Sequence, residues 1–287
     1  MGLGSVIVMD WVIEPFQLAF QQRALLGGVL VSVALALVGT WVVIRGMTFL
    51  GDALVHGVTP GIALAIILDF NPLLGAVLAA LVMIGGINLV HRQTTYSEDV
   101  GIGLLFVGML AIGVILISTT RSYAGDLTGI LFGDPLGVTG SDLVALGGMT
   151  ALTIVVMALF HRSFLVLAFN EQKARLLGMR PRLAHGVLLA VITLAIVGSF
   201  RTVGTLLVFG LLVGPPATAA LLAHRVPTIM ALSSLFGVVS VVIGLALSYH
   251  LGTAGSATIA LVPIVLFFVV LMIRAWVERA VPVSTGT

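Results

Sequence analysis

Apolar residues fill this chain in long, almost unbroken blocks, and polar residues collect in the short gaps between them. Blocks long enough to form membrane-spanning helices lie near residues 24–44, 46–68, 72–90, 100–119, 143–160, 203–222, 228–249 and 257–274. About 20 apolar residues suffice to cross a bilayer as a helix. A shorter block at 186–200 brings the number to nine if it spans, and leaves eight if it does not. The pattern predicts an all-α, polytopic integral membrane protein of about eight or nine transmembrane helices, with residues 1–287 forming one transmembrane domain. Ahead of the first block, residues 1–22 read as an amphipathic segment on the outer surface, stopped or kinked by Pro15.

Composition points the same way. Only 8% of the 287 residues are charged, 60% are hydrophobic, and the mean hydropathy is +1.25. A soluble globule carries roughly a quarter charged residues, so this chain has too few polar side chains to cover a water-facing surface. Its principal surroundings are lipid. The net charge of +2 gives no sign of a nucleic-acid partner, because the basic residues mark topology. There is no cysteine, which excludes disulfides and any thiolate site for a soft metal. A cleavable signal peptide is not expected, since nothing basic precedes Arg23 and the acids Asp10 and Glu14 interrupt the first apolar run.

Arginine and lysine in short loops orient a membrane protein, cytoplasmic loops being the richer. The densest basic stretch holds Arg162, Lys173, Arg175, Arg180 and Arg182. Placing it in the cytoplasm takes Arg45, Arg92, Arg225, Arg274 and Arg279 with it, and leaves Arg23, Arg121 and Arg201 outside. The expected topology has the N-terminus outside and the C-terminus in the cytoplasm of a cell-membrane protein.

Within these spans one acid and one histidine are out of place, Asp52 and His56 in "FLGDALVHGVTPG". An ionisable group inside the bilayer is costly and marks a candidate functional site. Residues i and i+4 share a helix face, with Cβ atoms about 5–6 Å apart, so a carboxylate and an imidazole could hold one ion. Such a mixed oxygen and nitrogen set suits zinc, manganese or iron. Pro60 has no N–H for the His56 carbonyl, so a kink or break is expected there, as in transporters whose sites use broken helices. Gly57 and Gly61 form a G-x-x-x-G pair that would let a second copy of this helix approach. Two copies would supply two carboxylates and two imidazoles, making these residues ligands on a shared dimer pathway. The spacing alone leaves two other readings open: an Asp–His pair that only locks helices together, or a proton relay in a proton-coupled secondary metal transporter.

Two more segments carry candidate roles. In the basic loop, residues 169–183 read as a short cytoplasmic helix with apolar Ala174, Leu177 and Met179 flanked by Glu171, Lys173 and Arg175, and ended by Gly178 and Pro181. An exposed helix of this kind docks a soluble partner or rests on lipid headgroups. In "VGTLLVFGLLVGPPATAALL" (203–222), Pro215 and Pro216 should free the carbonyls of Leu211 and Leu212 and bend the chain, as a packing kink or a gate hinge. The phosphate-cradling motif G-x-x-x-x-G-K-[ST] does not occur, so an ATP-driven process would need its ATPase on another polypeptide. On the outer side, Asp126, Asp134, Asp142 and His250 lie in the loops a delivery protein would meet.

These residues together resemble the membrane permeases of ABC-type manganese, zinc and iron uptake systems. "RGMTFLGDALVHGVTPGIALA" (45–65) is similar to that family's signature segment, and "ILFGDPLGVT" (130–139) looks like its external loop. "NEQKARLLGM" (170–179) resembles the coupling helix that docks in the ATPase, and "VGTLLVFGLLVGPPATA" (203–219) matches a late family segment. The resemblance runs from about residue 20 to 275. It implies a permease that is not itself an enzyme and keeps no permanently bound cofactor. It further implies a permease dimer, of two copies of this chain or of two related permeases, served by two cytoplasmic ATP-binding subunits and an extracytoplasmic metal-binding protein. On that resemblance Asp52 and His56 become ligands of the transported metal, zinc or manganese, and Glu171, Ala174, Leu177, Gly178 and Met179 the coupling surface. Pro60, Pro215 and Pro216 become candidate gate or hinge positions.

Overall fold

The computed structural model describes residues 11, 13–93, 98–118, 136–169 and 181–280. Among these residues every regular element is a helix. After a short 3-10 turn at Glu14–Gln17 come α1 (Ala19–Ile44), α2 (Thr48–Gly57), α3 (Thr59–Ile67), α4 (Pro72–Gln93), α5 (Glu98–Ser118), α6 (Gly140–Phe169), α7 (Pro181–Leu222), α8 (Val226–Leu251) and α9 (Gly255–Ala280). Seven segments are long and apolar enough to cross a membrane, with α2 and α3 together making one of them and α7 contributing two. Shorter apolar stretches of α4 and α5, Pro72–Ile87 and Val100–Leu116, complete the set.

The long α7 is a hairpin. Arg45, at the end of α1, donates from Nη1 to Nδ1 of His185 at 3.0 Å, near the start of α7. Ala219 and Ala223, at the far end of α7, pack with Ile44 of α1. Both ends of α7 therefore lie at one level, the Arg45 face of the bundle. Its middle lies at the opposite level, where Gly198 meets Met149 and the neighbouring Thr150 donates to the Leu30 carbonyl at 3.0 Å. The chain reverses beside Gly204, whose φ of 75° and ψ of 168° are open essentially only to glycine. The two arms, Leu183–Phe200 and Thr202–Leu222, account for the block at 186–200 as a helix of its own and for the block at 203–222 as its return.

The other helices alternate in direction around these arms. Gly28 faces Val241 and Gly237 faces Ser32, while Thr40 Oγ1 lies 3.4 Å from Ser233 Oγ, so α1 and α8 are antiparallel. Gly103 of α5 lies beside Phe49 and Gly113 beside Pro60, so α5 runs parallel to α2 and α3. Gly210 lies beside Ala260 and Gly214 beside Pro263, so α9 runs parallel to the second arm of α7.

Tryptophan and large aliphatic side chains fill the centre. Trp41, Phe164, Leu35, Leu54, Met83, Leu188 and Ile192 are fully buried, and Trp41 meets Phe164 edge-on with centroids 5.6 Å apart. The outer faces of α4, α5, α6 and α9 expose leucine, valine and phenylalanine instead. That distribution suits a protein whose solvent is hydrocarbon. Part of the N-terminal segment also has a place. Trp11 stacks on His250 at 4.4 Å, and the His250 ring Nε2 donates to the Trp11 carbonyl at 2.8 Å.

Candidate functional site

The helix carrying Asp52 breaks where proline requires it. α2 ends at Gly57 and α3 starts at Thr59, with Val58 between them and Pro60 in the first turn of α3. Proline is accommodated there because the first turn of a helix has no carbonyl waiting for its missing N–H. Val58 keeps near-helical angles, φ −83° and ψ −15°, so the break shifts the axis without turning the chain around.

Asp52 and His56 share one face of α2, with His56 Nε2 3.6 Å from Asp52 Oδ1 and side chains 30% and 31% exposed on the single chain. That separation is longer than a good hydrogen bond. The pair is held near one point in space but not closed upon itself. Phe106 of α5 meets the His56 ring edge-on at 5.9 Å and Phe49 at 5.7 Å, closing one side of the site with aromatic surface.

Exposure along this helix is sharply sorted. Between Leu50 and Pro60 only Asp52, His56 and Thr59 are not buried, and Thr48 is half-buried one turn before Asp52. These are the polar side chains of the stretch, spaced 48, 52, 56 and 59 at the helical repeat. The stripe is a period in the sequence, but the two threonines carry no charge to mark them beside Asp52 and His56.

One expectation needs correction. Gly57 and Gly61 do not lie open for a second copy of this helix. A methyl on Gly57 would meet the Met83 sulfur, and one on Gly61 would meet the Gly75 carbonyl, both in α4 of the same chain. The small-residue face is used to cross α4 closely, and the polar stripe, not the glycine pair, faces outward.

Among the described residues no group of three or more His, Asp or Glu comes together, and Asp52 and His56 stand as a pair on this face. Pro60 lies at the break beside this pair. Pro215 and Pro216 are buried in the second arm of α7, and the non-helical point of that element is Gly204 rather than either proline. Glu171, Ala174, Leu177, Gly178 and Met179 lie outside the described residues, as do Asp126 and Asp134. Asp142 is engaged in helix capping, its Oδ2 accepting from the Thr139 N–H at 3.0 Å. His250 is occupied by Trp11.

Comparison with known proteins matches residues 17–274 to the family described as "ABC 3 transport family". The chain is 36% identical over 253 residues to the "Manganese transport system membrane protein MntC" of Listeria innocua, covering 88% of this chain and 90% of that protein. It is 31% identical over 264 residues to the "Probable iron transport system membrane protein" of Haemophilus influenzae, covering 92% and 97%. Among solved structures, "PsaBC from Streptococcus pneumoniae in complex with Fab" superposes with a TM-score of 0.80 at 31% identity, covering 92% of this chain and 95% of that one. With an all-helical bundle, one broken helix bearing an acid and a histidine, and relatives over nearly its whole length, the chain belongs to the ABC 3 transport family as the permease subunit of an importer for a divalent transition metal, powered by ATP hydrolysis on a separate subunit.

Proposed function

We propose that the transported ion is manganese and that Asp52 and His56 bind it partway through the membrane, in a pathway shared by two copies of this chain. The observation that carries this reading is the outward-facing Asp52–His56 pair, the two side chains within 3.6 Å and about a third exposed where every other residue from Leu50 to Val58 is buried. A carboxylate in hydrocarbon costs about 2.5–3.5 kcal/mol on insertion scales. A divalent cation offsets that cost by neutralising the charge where it sits. Two pairs facing across a two-fold axis supply two oxygens and two nitrogens, and waters complete the six positions that manganese favours. The names of relatives at 36% and 31% identity speak for manganese and iron, and manganese fits the stripe's oxygen-rich character better than zinc.

In this reading the Arg45 face is cytoplasmic, the N-terminus lies outside, and a metal-binding protein delivers the ion to the face that carries Trp11 and His250. Two ATP-binding subunits engage residues 169–183 from the Arg45 face, and ATP binding and hydrolysis switch the pathway from outward to inward access. Pro60 at the break of the site helix, and Pro215 and Pro216 in α7, are the positions about which the switch bends.

The test is metal transport and bound-metal stoichiometry in vesicles reconstituted with the ATPase and the binding protein. Asp52→Asn keeps size and hydrogen bonding but removes the charge. Asp52→Asn and His56→Ala should each abolish manganese uptake while basal ATP hydrolysis and assembly survive. ATP-dependent manganese uptake retained by Asp52→Asn would remove the ligand assignment.

A further inference from the structure

Thr59 stands on the same stripe as the proposed metal ligands, three residues beyond His56 and across the break at Val58. Helical side chains lean toward the N-terminus of their helix, so Thr59 leans back over the turn that carries His56. Its methyl is turned to α5, where a Cβ built on Gly113 would lie 3.5 Å from Thr59 Cγ2. The hydroxyl therefore points off that contact.

Hydroxyls inside this bundle are usually spent on their own helix. Thr40 donates to Ala36, Thr153 to Met149, Ser199 to Ala195, Thr218 to Gly214 and Ser240 to Phe236. Back-bonding of this kind is the default for Ser and Thr in apolar helices. Thr59 makes no hydrogen bond to any described residue, and it is half-exposed where its helix neighbours are buried. A hydroxyl left available beside a carboxylate–imidazole pair is a hard oxygen donor without a partner.

We propose that Thr59 is a way-station for the permeating cation, its hydroxyl oxygen replacing a hydration water on the α3 side of the Asp52–His56 pair. This rests on the reading of that pair as the metal site. Asp52 and Thr59 are seven residues apart, roughly 10 Å along a helix, so one ion does not contact both at once. It passes from one to the other with His56 between them. An oxygen donor here favours manganese over zinc, because manganese suits oxygen ligands and water whereas zinc readily closes a tetrahedral shell on nitrogen.

The experiment compares Thr59→Val, which keeps the shape and loses the hydroxyl, with Thr59→Ser, which keeps the hydroxyl. Each is measured in the reconstituted complex for uptake of manganese and of zinc, and for basal ATP hydrolysis as a check of assembly. Thr59→Ala is run in parallel in case valine prevents folding. The expected result is that Val and Ala lower manganese uptake at subsaturating metal by roughly three- to tenfold, the scale of one lost polar contact. Zinc uptake should fall less, and Ser should restore the wild-type ratio. Wild-type manganese uptake by Thr59→Val beside an inactive Asp52→Asn overturns the way-station alone. So does an equal loss for both metals, or a Ser variant as impaired as Val, since either marks a packing role. Retained uptake by Asp52→Asn overturns the metal-site reading beneath it.

Discussion

The carbonyl oxygen of Leu212 lies against the α-carbon of Gly39. Pro216 has no N–H to offer that oxygen, and the neighbouring helix α1 approaches it with the one residue that has no side chain. A Cβ built on Gly39 would run into the Leu212 oxygen and lie 3.0 Å from both the Leu212 carbonyl carbon and Pro216 Cγ. At this point Pro216 lets a freed carbonyl sit in the seam between α1 and the second arm of α7. A carbonyl facing an α-carbon at close range also gains a weak C–H···O contact.

Gly39→Ala should accordingly destabilise the permease more than its one added methyl suggests, because the obstructing atom is backbone and has no rotamer to yield. Overpacking of this type costs about 1–3 kcal/mol. Thermal unfolding of the purified permease in detergent is the measurement. An unchanged transition would mean the helices separate there at no cost.

Gly204 should be similarly intolerant, for a conformational reason. At φ 75° and ψ 168° a side chain strains the backbone by about 1–3 kcal/mol, and the strain falls on the reversal that turns α7 into two arms. Gly204→Ala should reduce the yield of folded permease and lower its unfolding temperature. Gly147, in contrast, has open space around its would-be Cβ, so Gly147→Ala should leave the unfolding temperature unchanged and serves as the control.

Much of this architecture could be read from the sequence, because long apolar blocks admit few structures in a bilayer. The span at 46–68, the break at Pro60, and the isolation of Asp52 and His56 follow from hydropathy and the chemistry of proline. What could not be read was partner choice. Gly57 and Gly61 have the spacing of a helix-dimer face, yet that face is equally suited to α4 of the same chain, and only the packing of Met83 and Gly75 decides it. The hairpin within 181–222 was ambiguous for a related reason. A block as short as 186–200 looks marginal alone, and its status depends on which level of the bundle its ends reach. Asp142 and His250 looked like loop residues free to meet a partner, but a capping threonine and a distant tryptophan occupy them.

Asp142 offers a test of that last point. Thr139 and Asp142 cap α6 reciprocally, the Asp142 N–H donating to Thr139 Oγ1 at 3.3 Å and the carboxylate accepting from the Thr139 backbone. Loss of such a cap costs about 0.5–2 kcal/mol. Asp142→Ala should lower the unfolding temperature by a few degrees, while the affinity of the permease for a metal-delivery protein stays at the wild-type value. A large affinity loss without a stability loss would reassign Asp142 to docking.

The proposed coupling segment is tested through its neighbours in the fold. Residues 170–180 join the end of α6 to the start of α7, and both of those ends lie at the Arg45 face. His185 follows five residues after Arg180 and accepts from Arg45, and only Gly46 and Met47 separate Arg45 from the helix bearing Asp52. The Arg45–His185 contact thus ties the start of α7 to the chain just ahead of the site helix. If an ATPase groove receives this segment, a bulky charge at Ala174 or Gly178 should prevent seating. Ala174→Glu and Gly178→Glu should abolish metal-stimulated ATP hydrolysis, leaving only the ATPase's basal rate. His185→Ala should keep hydrolysis while lowering manganese uptake per ATP several-fold, because one charge-assisted hydrogen bond of about 1.5–3 kcal/mol is lost from that tie. The measurement is hydrolysis and uptake in the same reconstituted vesicles. Full stimulation in Gly178→Glu would remove the segment from coupling, and an unchanged ratio of uptake to hydrolysis in His185→Ala would remove the Arg45–His185 contact from it.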